Sequence, residues 1–283
     1  MKNKLSLTLV FIVLFTFYLF AQKDSVKLNT WLPTAAVGLN ISQLALSNWT
    51  QGGENSITYT FNGTGGLVYK SIGWTFKNNL KFAYGRTKLG GADFRTNDNE
   101  LYLESVISKN INWPVDPYFS NTLLSPIGVG YTYTTNPPTE IAAFFDPGYL
   151  TQSLGFTYQQ QKGFDTRLGI AIQETFTRNN TQFSDDPATT DNVEKFKAET
   201  GIESVTNGQY VLAENLMFKS NLRLFSRFKS MDVWDIRWDN TIIAKVNDYI
   251  NTSLSYLLVY QKDQSVKTQM KEGLQLGINY TIL

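Results

Sequence analysis

The chain has 283 residues, with no cysteine and no histidine, 25 Lys and Arg against 24 Asp and Glu, and 14% aromatic residues. The two absences exclude disulfide staples, a cysteine lipid anchor, a Cys nucleophile, a histidine general base and zinc held by Cys or His. Near-neutral charge offers no basic face for nucleic acid, and few charges with many aromatics favour strands.

In chain order, Lys2 and Lys4 precede an apolar run from Leu5 to Phe20 and the small residue Ala21. This pattern predicts a signal peptide over 1–21 and leaves 22–283 as one domain. Removing the two lysines leaves the remainder slightly acidic. Beyond this point the pattern has a period of two. In WTFKNNLKFAYG, Trp74, Phe76, Leu80, Phe82 and Tyr84 share one face, opposite Lys77, Asn79 and Lys81. The same alternation sets Leu168, Ile170 and Ile172 against Asp165, Arg167 and Gln173. Near the end it sets Leu274, Leu276, Ile278 and Tyr280 against Gly273, Gln275, Gly277 and Asn279.

Strands are expected at 34–46, 55–70, 74–86, 95–109, 115–132, 149–161, 164–178, 195–206, 209–227, 232–246, 249–262 and 266–283. A soluble sandwich also alternates, but these segments run to about ten to eighteen residues, where soluble strands average about five or six. Tyr and Trp gather at their ends. Short connections (71–73, 110–114, 162–163, 207–208, 247–248) alternate with longer ones rich in Gly, Pro, Asn or Asp (87–94, 133–148, 179–194). The predicted fold is all-β: an antiparallel transmembrane β-barrel of about 12 strands, with short periplasmic turns and longer external loops. The terminal GINYTIL resembles the C-terminal strand read by the barrel-insertion machinery, although it ends in Leu283 rather than an aromatic.

The first external connection contains SNWTQGGENS. Gly52 and Gly53 permit a tight reversal, Asn55 and Ser56 can close it by side-chain hydrogen bonds, and Trp49 suits a membrane interface. One reading is a shaped rim turn. The other makes Trp49, Gly52, Gly53, Glu54 and Asn55 a binding or gating element at the mouth. Together, Asn48, Trp49, Gly52, Gly53, Asn55 and Ser56, followed by Asn78, Asn79, Leu80, Tyr84 and Gly85, resemble a Bacteroidetes outer-membrane barrel family catalogued as a domain of unknown function (3078). The resemblance implies an outer-membrane barrel and no known activity. The stretch 110–148, with Pro137 and Pro138, departs from that pattern.

The polar face of the late strands carries Lys219, Arg223, Arg227, Asp235, Arg237 and Asp239. Adjacent strands bring such charges within ion-pair reach, giving either a stiffening network or a polar pathway for a small solute. Asp235 and Asp239 lie about 13 Å apart on one strand, too far for a glycosidase carboxylate pair. Asp185, Asp186, Asp191 and Glu194 form an acidic loop without the order of an EF-hand. No catalytic, metal or cofactor motif is expected. The sequence thus predicts a monomeric, non-enzymatic barrel in a bacterial outer membrane, acting as a narrow channel or transporter or as a surface scaffold. Its expected partners are lipid, the insertion machinery and a small solute. The alternatives are a histidine-free outer-membrane hydrolase and a secreted ligand-binding sandwich.

Overall fold

A computed structural model describes residues 28–47, 53–161, 163–186, 189, 191–262 and 267–281. The expected signal peptide over 1–21, and Trp49 and Gly52 of the rim motif, lie outside the described residues. The strands are β1 (Thr30–Leu44), β2 (Ser56–Lys70), β3 (Trp74–Leu89), β4 (Arg95–Lys109), β5 (Asp116–Ser125), β6 (Gly130–Thr132) and β7 (Thr139–Ala142). They continue with β8 (Gly148–Gln161), β9 (Phe164–Phe176), β10 (Phe196–Ala213), β11 (Leu216–Arg227), β12 (Trp234–Lys245), β13 (Ile250–Tyr260) and β14 (Gln269–Thr281).

Twelve of these close into one antiparallel barrel, in the ring order β1-β14-β13-β12-β11-β10-β9-β8-β5-β4-β3-β2, while β6 and β7 pair separately. Closure is made by β1 against β14, from Ala36↔Thr281 to Asn40↔Gly277. The connections 71–73, 110–115, 162–163, 214–215 and 246–249 lie at one end, together with the start of β1 and the end of β14. The strand ends joined by the longer connections β1–β2, β5–β8 and β9–β10 lie at the other.

Most expected strands match within four residues, and two places differ by more. The connection placed at 207–208 is continuous strand: Asn207 pairs with Asp165 on one side and Asn221 on the other, and the chain reverses at 214–215. Asn-Gly is a strong hairpin signal, yet ladders on both flanks hold it extended. The Tyr210 ring lies 2.9 Å from where a Cβ on Gly208 would sit. The strand expected over 115–132 ends at Ser125, where Pro126 has no N–H to continue the ladder. The chain then rises into the β6–β7 hairpin. Asn99 holds its base, accepting from the Ile127 and Gly128 amides and donating to the Gly128 carbonyl, at 2.7–2.8 Å.

The alternation sorts side chains as expected. On β9, Leu168 (58% exposed) and Ile170 (62%) point outward, while Arg167, Ala171, Gln173 and Thr175 are buried in the lumen. Phe61, Leu154, Phe156, Leu274 and Ile278 extend the outward belt. A contiguous apolar surface of this extent is foreign to a monomer in water and is what a barrel presents to hydrocarbon. Aromatic contacts frame the belt. Trp31 packs on Tyr69 and Phe76 near the short turns. Tyr59 meets Phe94, and Phe176 meets Phe196, near the long loops.

The inner wall also has a place for large side chains. Gly155 and Gly169 face each other across β8 and β9, and a Cβ on either would collide with the opposite strand's backbone. The space over them is taken by Tyr118 of β5, whose hydroxyl meets Ser153 Oγ at 2.8 Å. The outward position of Ile170, midway along β9, gives a direct test of the lipid-facing assignment. Ile170→Arg is expected to destabilise the barrel in lipid vesicles by about 2–4 kcal/mol, measured as a shift in urea midpoint, whereas Ile170→Leu leaves it unchanged.

Candidate functional site

The barrel interior is a polar chamber, and its two sides differ. Along β4, β5, β8, β9, β10 and β11 it is packed with interlocked charged and aromatic groups. Arg167 pairs with Glu104, both buried, and Asn79 also donates to Glu104. Arg223 donates to Glu203 at 2.7 Å and to Gln173 at 2.9 Å. Arg227 reaches Glu199 at 2.7 Å and Asp235 at 2.9 Å. The wholly buried Phe225 lies between the Arg223 and Arg227 guanidinium groups, 5.5 and 5.8 Å from its ring centre. Buried charges are tolerated only when paired and hydrogen-bonded, and here each arginine has a carboxylate.

The other side, along β1, β2, β3, β12, β13 and β14, is more open and is crossed by charged struts. Arg237 of β12 meets Glu100 of β4 at 2.6 Å. These strands stand diametrically opposite in the ring. Lys81 of β3 meets Asp239 of β12 at 2.7 Å and lies 3.9 Å from Glu100. This four-residue layer separates two cavities, both of which it lines. The one toward the short turns has a volume of about 1070 Å³ and is bordered by Lys70, Lys77, Asp165 and Lys219. The one toward the long loops has about 610 Å³ and is bordered by Asn40, Thr58, Asp98 and Lys271. In the outer cavity Lys271 pairs with Asp98, and Asn40 donates to Gln275 at 2.6 Å.

The six lumen charges singled out from the sequence therefore share the interior but split by role. Arg223, Arg227 and Asp235 belong to the packed side. Arg237 and Asp239 form half of the transverse layer. Lys219 faces the larger cavity and makes no ion pair among the described residues. Missing from that set are Glu100, Glu104, Glu199 and Glu203, as well as Lys81 as a partner for Asp239. All sit at inward positions of their strands, so strand parity marks them. Their pairing across the lumen has no local sequence signal.

At the rim, the described part of SNWTQGGENS is anchored to its neighbours. Asn55 Oδ1 accepts the Leu46 amide at 2.6 Å, and the Asn55 carbonyl accepts the Gly90 amide at 2.7 Å. Gly53 (φ 109°) and Gly90 (φ 51°) are left-handed, and the Glu54 carboxylate lies over Gly90.

The two longest loops are fastened together by Asp146, which is 3% exposed. Its carboxylate accepts the Arg178 and Asn179 amides at 2.9 Å and the Asn180 amide at 3.3 Å. Burial raises its pKa, but these backbone donors outweigh that and hold the carboxyl below its ordinary value. In the acidic loop, Glu194 is held at about 2, first by the Thr189 hydroxyl at 2.7 Å and then by the Asp186 amide at 3.2 Å. Asp185 accepts the Glu194 amide at 3.0 Å. These carboxylates serve the loop's own amides. Among the described residues no group of three or more acids is arranged to hold a metal.

The family model described as "Protein of unknown function (DUF3078)" matches residues 41–131. No curated protein matches the chain. Among solved structures, the chain is similar to the COG4313 outer membrane channel from Pseudomonas putida F1, with 12% identity, a TM-score of 0.42, and 91% of this chain and 96% of that one covered. It is also similar to the translocator domain of the autotransporter NalP from Neisseria meningitidis, with 11% identity, a TM-score of 0.37, and 89% and 88% covered. At this level of similarity the fold assignment rests on the strand ladder itself.

Two outcomes follow from the geometry. Arg167→Met strands the buried Glu104 and is expected to cost about 3–5 kcal/mol. Adding Glu104→Leu recovers most of that loss, as read by urea unfolding in vesicles. For Asp146, a depressed carboxyl contributes its stability above the ordinary pKa of about 4 and loses it as pH falls through the folded value. Loop 177–186 is thus expected to keep its amide protection from pH 7 down to about 4 and to lose it below. Asp146→Ala lacks that protection already at pH 7.

Proposed function

We propose that the chain is a bacterial outer-membrane barrel, of the Bacteroidetes type its motif resembles, that works as a narrow, non-enzymatic channel for small polar solutes. In this reading residues 1–21 are a cleaved signal peptide and 22–283 form the barrel. The insertion machinery and outer-membrane lipid are its partners in assembly. The supporting observation is the transverse layer of Lys81, Glu100, Arg237 and Asp239 between two polar cavities. An interior built only for stability would be filled throughout, like the β8–β11 side. Here polar space lies on both sides of a thin layer of paired charges.

Such a layer acts as a closed constriction. Its side chains are long and partly exposed, 45% for Lys81 and 21% for Asp239, so opening needs them only to exchange protein partners for water. A passing cation competes for Glu100 and Asp239, and a passing anion for Lys81 and Arg237. The rim residues Trp49, Gly52, Gly53, Glu54 and Asn55 belong in this reading to the external mouth. The braced loops held by Asp146 favour one further reading, a surface scaffold whose business is outside the membrane.

The test is single-channel recording in planar bilayers, on the wild type and on a variant carrying Lys81→Met, Glu100→Gln, Arg237→Met and Asp239→Asn. The expected result is small conductance steps in the wild type and steps at least about twofold larger in the variant, because removing charged struts from a pore widens and neutralises it. Silence in both, with the proteins shown to be folded by heat-modifiable gel mobility, removes the channel reading and leaves the scaffold.

A further inference from the structure

We infer that the larger cavity is a binding site for small solutes carrying two or more carboxylate or phosphate groups, gripped by Lys77 and Lys219. The inference deepens the channel reading and rests on one part of it, that the cavity is reachable from solution.

The charge accounting inside the cavity is uneven. Its wall includes four acids, Glu100, Glu104, Asp165 and Asp239. Three of them are engaged by a cation: Glu100 by Arg237, Glu104 by Arg167, and Asp239 by Lys81. Asp165 accepts a hydrogen bond from Asn207 at 3.0 Å. Against this single acid without an ion pair stand Lys70, Lys77 and Lys219, none of which is within ion-pair distance of a carboxylate among the described residues. The smaller cavity shows no such surplus. There Lys271 is matched by Asp98, and the remaining charges are Glu272, an acid, and the shared layer.

Placement makes the surplus specific. Lys77 projects from β3 and Lys219 from β11, strands that stand opposite each other in the ring. The two ammonium groups therefore come from facing walls of one cavity, an arrangement complementary to a ligand with an anionic group at each end. Between them the cavity offers neutral amides, including Asn79, Asn221 and Gln209, which can donate to ligand oxygens. Lysine is suited to this task because its ammonium carries three donors on a flexible stem. Desolvated cations without a partner are costly, so the bound anion completes an arrangement the chain leaves unpaired. The volume of about 1070 Å³ accommodates a small organic dianion together with water.

The experiment is isothermal titration calorimetry of the folded barrel in detergent at low ionic strength. Succinate and pyrophosphate are the anionic probes and glucose is the neutral control. Wild-type protein is expected to bind both anions and not glucose. Lys77→Gln with Lys219→Gln weakens that binding at least about tenfold, the loss expected from removing charge-assisted hydrogen bonds. Lys77→Arg with Lys219→Arg retains it. Gel mobility before and after heating confirms that every variant is folded. Equal binding by the wild type and the glutamine variant, or equal binding of glucose, overturns the site. No anion binding by a wild-type barrel that conducts also overturns it and leaves the channel reading standing. Anion binding by a barrel silent in bilayers supports the site and removes the channel reading instead.

Discussion

Hydrocarbon has no hydrogen bond to offer a peptide N–H or C=O, so a sheet can lie within it only if every edge is consumed. The pairing of β1 with β14 does this, turning an open sheet into a ring. Everything else about the molecule follows from that closure. Once the ring exists, the pleat sends alternate side chains into two unlike solvents. Leu168 and Ile172 meet lipid while Arg167 and Gln173, their immediate neighbours, meet a polar interior. A single-residue slip in any ladder would exchange the two sets. The register is thus held by side-chain chemistry as well as by backbone bonds.

The interior then has to solve a problem that a soluble core does not. It is too wide for apolar packing from a ring of short side chains, and its inward positions are largely polar. The chain's solution is lopsided. Around β8 to β11 the space is closed by arginine–carboxylate pairs, by Phe225 between two guanidinium groups, and by Tyr118 set into the Gly155–Gly169 gap. Around β3 and β12 the space is bridged rather than filled. The two halves share the same residue types, yet in one the charges meet along the wall and in the other they meet across the lumen.

How much of this could be read beforehand depended on the range of the interaction. Period-two alternation is local, so the strand count, the outward belt and the long–short rhythm of connections were visible in the chain itself. The Asn207-Gly208 dipeptide misled because a strong turn signal is weaker than two flanking ladders. Asp235 and Arg227 were recoverable as a pair because their strands are hairpin neighbours. Arg237 with Glu100, and Lys81 with Asp239, were not. They join segments 137 and 158 residues apart in sequence, and only the curvature of the closed ring brings them together. The Asp146 brace was hidden for the same reason: its partners lie in another loop, and nothing in the sequence around Asp146 names them.

The lopsided interior also has a mechanical meaning. A pore that opened by dilating would have to stretch its ladder of backbone bonds, a collective motion of microseconds or longer. The strut layer avoids this. Its four members hang from β3, β4 and β12 on side chains partly in water, and the filled side of the barrel holds those strands in place while they move. In the proposed channel, passage through the waist is therefore a matter of rotamer exchange, on the picosecond-to-nanosecond scale of exposed side chains, rather than of dilating the wall.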